Sequence, residues 1–269
     1  MSFQNPGGAL ITGASGGIGA AYAERLARRG YDLTIVARNR GRLDALAARI
    51  SDDTGRAVEV FVADLGNHED LAHVEAALKQ DASLTMLVNN AGVGAVAPMM
   101  HSDVDMMEEM IKLNVVALTR LTYAAAPAFA SRGRGTIINI ASIVAIAPET
   151  LNGVYGGTKA YVLALSRSLH HELADKGVRV QAVLPGATAT EFGDIAGRPL
   201  SKLPAKIVMP VGEMVDAALA GLDLGEFATI PSLPDMADWD AFEAARQRLI
   251  PNLSRADPAA RYRAPPLED

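Results

Sequence analysis

Cysteine is absent from all 269 residues, which excludes disulfides and thiolate metal sites and agrees with a reducing compartment. Long apolar runs are missing too. No stretch reaches the ~18 residues of a membrane span, and residues 1–6 show no basic region followed by an apolar one. Positive charge is dispersed, with 25 basic against 31 acidic side chains and a formal net charge of −6, so nucleic acid is not an expected partner. The five histidines, His68, His73, His101, His170 and His171, form no metal-ligand pattern with carboxylates, so no metal is expected. These absences together read as a soluble, cytoplasmic protein that works without membrane, nucleic acid or metal. What is present is material for a large core: 49% of residues are apolar and 21% charged, enough for a single domain over 1–269.

From Gly8 to about Ile230, apolar runs of strand length alternate with longer helical patterns. The expected strands are 8–12, 32–37, 57–62, 84–89, 135–140, 179–184 and 227–230. Most are continuous and rich in Val, Ile and Leu, as in Leu33 to Ala37 and Thr136 to Ile140, which suits strands buried on both faces. This βαβ rhythm predicts an α/β fold with a doubly wound parallel sheet. No repeat, low-complexity tract or linker interrupts it.

The first expected strand runs into Thr12, Gly13, Ala14, Ser15, Gly16, Gly17, Ile18 and Gly19, followed by an amphipathic helix to about Arg29. Glycines there allow a sharp turn and a close backbone approach, and a helix N-terminus attracts phosphate, so the turn reads as a dinucleotide site of the Rossmann type. The second strand ends in Ala37, Arg38, Asn39 and Arg40, without the acid that would accept from the ribose of NAD. Arginine pairs with a 2′-phosphate, so NADP(H) is the expected cofactor, with Arg38 its main anchor and Arg42 an accessory one.

Asp64 and Leu65 follow the third strand, where Asp64 either meets the adenine amino group or forms a turn before a helix capped by Asn67. The fourth strand enters Asn89, Asn90, Ala91 and Gly92, amides that can tie loop backbone beside a glycine open to a ring. The next helix, from Ser102 or Asp103, carries Asn114 among Met110, Ile111, Leu113, Val115, Val116 and Leu118. A buried amide in that company needs partners, so Asn114 is either a structural bracket or part of a proton path.

Tyr155, Gly156, Gly157, Thr158 and Lys159 lie thirteen residues past Ser142. If this stretch opens a helix, Tyr155 and Lys159 share a face one turn apart. A fixed ammonium beside a phenol of ordinary pKa ~10 favours the phenolate and moves it toward working pH, while a serine hydroxyl can hold the substrate oxygen.

Glycine turn, Asn-Asn-Ala-Gly, isolated helix Asn, Ser and Tyr-x-x-x-Lys, in this order, resemble the short-chain dehydrogenase/reductase family, closely from Gly8 to Thr190. The resemblance implies a sheet of about seven parallel strands with helices on both faces and the site at the strands' carboxyl ends. It implies catalytic Asn114, Ser142, Tyr155 and Lys159, with Tyr155 as general acid or base, Ser142 polarising the substrate oxygen, and Asn114 holding a water that links Lys159 to solvent. It places the cofactor against Gly13, Ser15, Gly17, Ile18, Gly19, Arg38, Asp64, Leu65, Asn90, Ala91, Gly92, Tyr155, Lys159, Pro185, Gly186, Thr188 and Thr190. It also implies a substrate lid over 190–210. Phe192, Ile195, Leu200 and Leu203 there, with Val93, Ile143, Ala145 and Val154, suggest an uncharged pocket for a small to medium apolar carbonyl compound or alcohol.

Residues 234–249 read as an added amphipathic helix carrying Trp239 and Phe242, within a C-terminal helical extension over 234–269. A homo-oligomer is expected, with a dimer favoured over a tetramer because of this extension. Two other functions remain open. A 3-oxoacyl-thioester reductase needs cations at the pocket mouth, where Arg198, Lys202 and Lys206 stand; an NADPH-sensing regulator needs the glycine turn but no tetrad.

Overall fold

The structure, a computed structural model, describes residues 6–196 and 200–262. It separates into two compact units, Met1–Pro231 and Ser232–Asp269. In the first unit the chain runs β1 (Gly8–Thr12), α1 (Gly17–Arg28), β2 (Asp32–Ala37), α2 (Arg40–Thr54), β3 (Val58–Val62), α3 (His68–Gln80) and β4 (Leu84–Asn89). It continues through α4 (Val104–Ile111), a π-helical turn (Lys112–Ala117), α5 (Leu118–Ser131), β5 (Gly135–Ile140), α6 (Gly153–Leu173) and β6 (Val178–Val183). It closes with β7 (Thr188–Ala189), α7 (Phe192–Ile195), β8 (Met209–Pro210), α8 (Val211–Leu224) and β9 (Ala228–Thr229).

Seven strands form one parallel sheet in the order β3-β2-β1-β4-β5-β6-β9. Successive strand residues face opposite sides, and helices cover both. Ala9, Ile11, Leu33, Ile35, Met86 and Val88 pack with Tyr22 and Leu26 of α1, Leu43 and Ile50 of α2, and Val215 and Leu219 of α8. Their neighbours Leu10, Val36, Leu87 and Ile137 face Leu71 and Leu78 of α3, Leu121 and Phe129 of α5, and Leu169 of α6. Each such side chain removed from water contributes roughly 1.5–3 kcal/mol of transfer free energy, which sets the register of every strand.

Strand β3 starts at Val58 because the N–H of Ala57 donates to Asp32 Oδ1 rather than to the ladder. The edge strand β9 is two residues long, but Phe227 O and Thr229 O accept from Ala182 and Leu184, so its pairing outlasts its regular geometry. The short parallel pair β7–β8 was not legible in the sequence; it pins both ends of the segment between Thr190 and Val208 beside the sheet's carboxyl edge.

In the second unit α9 (Met236–Leu249) is capped by Asp235, whose Oδ1 accepts from Ala237 N at 2.9 Å, and the Trp239 and Phe242 rings stand 5.4 Å apart. Among the described residues no helix is long and apolar enough to cross a membrane.

Candidate active site

The carboxyl ends of β1 and β4 are stitched together by side chains. Thr12 Oγ1 accepts from the N–H groups of Asn90 and Ala91, both at 3.0 Å, and Asn90 Nδ2 donates to Thr12 O at 2.8 Å and Gly13 O at 3.2 Å. Asn89 Nδ2 donates to Thr122 Oγ1 of α5 and Asn139 Oδ1 of β5, so the two amides at the end of β4 hold different neighbours.

The turn from β1 into α1 is tight. A Cβ on Gly19 would collide with the carbonyl oxygen of Gly13, and Gly17 sits at φ +53°. Ala14 N donates to Val36 O, while Ser15 is half-buried on the turn and Ile18 packs into the core below. The N-terminus of α1 has neither a side-chain cap nor an acid in its first turn, which suits a phosphate.

Arg38 leaves β2 with its side chain 75% exposed, 3.9 Å from Asp64. Asp64 also accepts from Gly66 N at 3.0 Å, the turn-forming alternative, while the Leu65 side chain is buried in the core. Arg42, by contrast, is held by Glu191 at 2.8 Å and 3.3 Å. Thr190 Cγ2 lies 3.2 Å from where a Cβ of Gly17 would stand, so the segment after β7 borders the glycine turn. Uncapped helix, glycine turn and two arginines with no acid at the end of β2 fit a dinucleotide bearing a 2′-phosphate.

The catalytic candidates converge on α6. Asn152 caps this helix, accepting from Val154 N and Tyr155 N, and its Nδ2 donates to Ala97 O at 2.6 Å and Ser102 Oγ at 2.9 Å. Tyr155 and Lys159 follow on the inner face, each only 6% exposed. Lys159 Nζ lies 5.9 Å from the Tyr155 ring centroid and donates to Ile140 O at 2.8 Å. Ser142 donates to Pro185 O and accepts from Val144 N, both at 3.4 Å, while Ile143 N donates to Pro185 O. Gly186 lies near Ile143, and Thr188 Oγ1 donates to Gly186 O at 3.2 Å.

Asn114 sits on the π-helical turn. Its Oδ1 accepts from Val93 N at 2.9 Å, and its Nδ2 donates to Val93 O at 2.8 Å and Thr158 Oγ1 at 3.2 Å. These three bonds make the Asn114 side chain a structural bracket between the segment after β4 and α6. Gly92 fills the gap between Asn114 and Lys159: a Cβ there would meet Asn114 Oδ1 at 3.0 Å and Lys159 Nζ at 3.7 Å.

Burial pushes the Tyr155 phenol up to about 12, with a hydrogen bond from Ser142 pulling the other way, and burial pushes Lys159 down to about 8. Desolvation is the largest influence on both groups.

Around the phenol, Met107, Met110 and Val144 are buried, and Val93, Ala95, Leu151, Val154 and Phe192 pack on them. The Phe192 ring lies 6.0 Å from that of Tyr155, and its tip occupies the space a side chain on Gly94 would need. Sequence reasoning missed Asn152, Thr158, Gly94 and the Glu191 partner of Arg42. Only Asn152 left a signal, as an Asn at cap spacing before the helix. Arg198 lies outside the described residues.

A short chain dehydrogenase family model matches residues 8–197. A short-chain dehydrogenase from Sphingobium yanoikuyae in complex with NADPH is 51% identical, with a TM-score of 0.93 over 96% of this chain and 100% of that one. A bulky-bulky ketone specific alcohol dehydrogenase from Comamonas testosteroni is 45% identical, with a TM-score of 0.89 over 96% and 99%. A very-long-chain 3-oxoacyl-CoA reductase of Anas platyrhynchos is 35% identical over 192 residues, 70% of this chain but 62% of that protein, so this chain spans less than two thirds of that relative's length. On the family match, and on the sheet order and glycine turn that accompany it, the chain belongs to the short-chain dehydrogenase/reductase family.

Proposed function

We propose that the chain is an NADP(H)-dependent oxidoreductase that reduces ketones bearing apolar groups on both sides of the carbonyl, with Tyr155 as general acid. The observation that carries the substrate class is the uncharged wall around Tyr155, from Met107 and Met110 to Val144, Val154 and Phe192. The ketone specificity named for the Comamonas relative supports it.

Gly13 to Gly19, Arg38, Asn90 to Gly92 and the segment from Pro185 to Thr190 would hold the cofactor, which supplies the hydride when bound. Ser142 donates to the substrate oxygen in place of Pro185 O, and Tyr155 delivers the proton. A phenol held near 12 is protonated at neutral pH, the form that carbonyl reduction requires. Lys159 uses one of its three donors on Ile140 O, leaving others for the cofactor's ribose and for returning a proton to Tyr155. Asn114 keeps Val93 and Thr158 in register, and Phe192 excludes water from the phenol.

A second reading, 3-oxoacyl-thioester reduction, is favoured by the Anas relative and by Lys202 and Lys206, which are exposed in the lid segment. A cofactor sensor has no use for a buried Ser142, Tyr155 and Lys159. For assembly we infer a homodimer through α4 to α6: Ile111, Val116 and Tyr123 are exposed there beside a cavity of about 310 Å³ lined by Ile111, Val115 and Val154. A cytoplasmic location agrees with the lack of cysteine.

NADPH consumption against diaryl and aryl-alkyl ketones, acetone and 3-oxoacyl-CoA esters separates the readings. Ketones with two bulky arms should give the highest kcat/KM. A ranking led by the thioesters would replace the proposal with the second reading.

A further inference from the structure

The two arginines beside the cofactor cleft differ in one respect. Arg38 meets Asp64 only at 3.9 Å, whereas Arg42 makes a two-pronged pair with Glu191. Arg42 projects from the first turn of α2, where its own N–H donates to the Asn39 cap. Its Nη1 stands 3.8 Å from where a Cβ of Gly16 would be, and Gly16 is the residue that leads into the uncapped N-terminus of α1. The guanidinium therefore lies at the glycine turn itself, on the side to which the end of β2 delivers Arg38. A dianionic 2′-phosphate placed by Arg38 would meet a second cation whose charge is already matched by a carboxylate.

We infer that Glu191 is a cofactor-selectivity residue: it competes with the 2′-phosphate of NADP(H) for Arg42 and so weakens the preference for the phosphorylated cofactor. The inference rests on the NADP(H) reading and extends it to a residue outside the glycine turn and β2. Both partners are solvent-exposed, which keeps the pair weak and exchangeable, and the phosphate offers Arg42 a doubly charged acceptor in place of a singly charged one. Glu191 also directly precedes Phe192, so the exchange of partners releases the residue next to the cover of Tyr155.

The test is a double-mutant cycle of Glu191→Gln and Arg42→Gln, read by calorimetric titration with adenosine 2′,5′-bisphosphate and with 5′-AMP. Glu191→Gln should tighten the bisphosphate about threefold to fivefold while 5′-AMP affinity stays put, the scale of one exposed ion pair. In the Arg42→Gln background the same substitution should change neither. An unchanged bisphosphate affinity in Glu191→Gln, or an equal gain with and without Arg42, overturns the inference. A parent chain that binds the bisphosphate no better than 5′-AMP overturns the NADP(H) reading and this inference with it.

Discussion

The wall around Tyr155 and the rim around Arg38 and Arg42 belong to one cleft but obtain their properties in opposite ways. At the wall, Ser142, Tyr155, Lys159 and Asn114 are buried, Ser142, Lys159 and Asn114 are held by hydrogen bonds to fixed partners, and burial moves the phenol up and the ammonium down. At the rim, Arg38, Asp64, Arg42 and Glu191 stand in solvent and act as exchangeable charge pairs. Chemistry that needs a defined protonation state sits where water is excluded; recognition that must bind and release a phosphate sits where water competes.

If that division holds, substitutions at the wall should change turnover and those at the rim should change cofactor choice. The largest effect is expected from Tyr155→Phe: kcat should fall on the order of 100-fold or more while NADPH affinity, followed by nicotinamide fluorescence, stays within twofold. Arg38→Asp should move the NADPH/NADH ratio of kcat/KM toward NADH by about 30-fold, the value of charge-assisted hydrogen bonds lost; an unaltered ratio would assign the phosphate to Arg42. Phe192→Ala should raise KM for a two-armed ketone about fivefold through lost apolar contact, with acetone little affected, in a steady-state comparison of the two.

The smallest effect is thermal. Because Lys159 titrates near 8 when folded and near its ordinary 10.5 when unfolded, the unfolded chain holds the extra proton between those values, so stability rises with pH in that window. Tyr155, raised rather than lowered, opposes this only above about 10. Between pH 7.5 and 9.5 the Tm of the parent protein should therefore gain about 3 °C relative to Lys159→Met. Parallel curves would show that Lys159 is not desolvated.

What the sequence disclosed follows the same division. The central strands were legible because strands buried on both faces must be continuous apolar runs, and the wall residues because Tyr155 and Lys159 must be one helical turn apart. The bracket made by Asn114 left two readings open, since its partners Val93 and Thr158 are 21 and 44 residues away. Arg42 and Glu191 are 149 residues apart, and nothing in either neighbourhood announces the pair. Spacing makes Tyr155 and Lys159 neighbours but does not say how far each is buried.

The most direct test of the account is a single turnover: parent protein and Tyr155→Phe, each preloaded with NADPH, are mixed with a ketone carrying two bulky apolar groups, and nicotinamide absorbance is followed. The account predicts rapid oxidation of one equivalent in the parent and at most a slow drift in the variant at equal cofactor occupancy. Equal bursts would mean that the proton comes from elsewhere and that the buried phenol is not the acid.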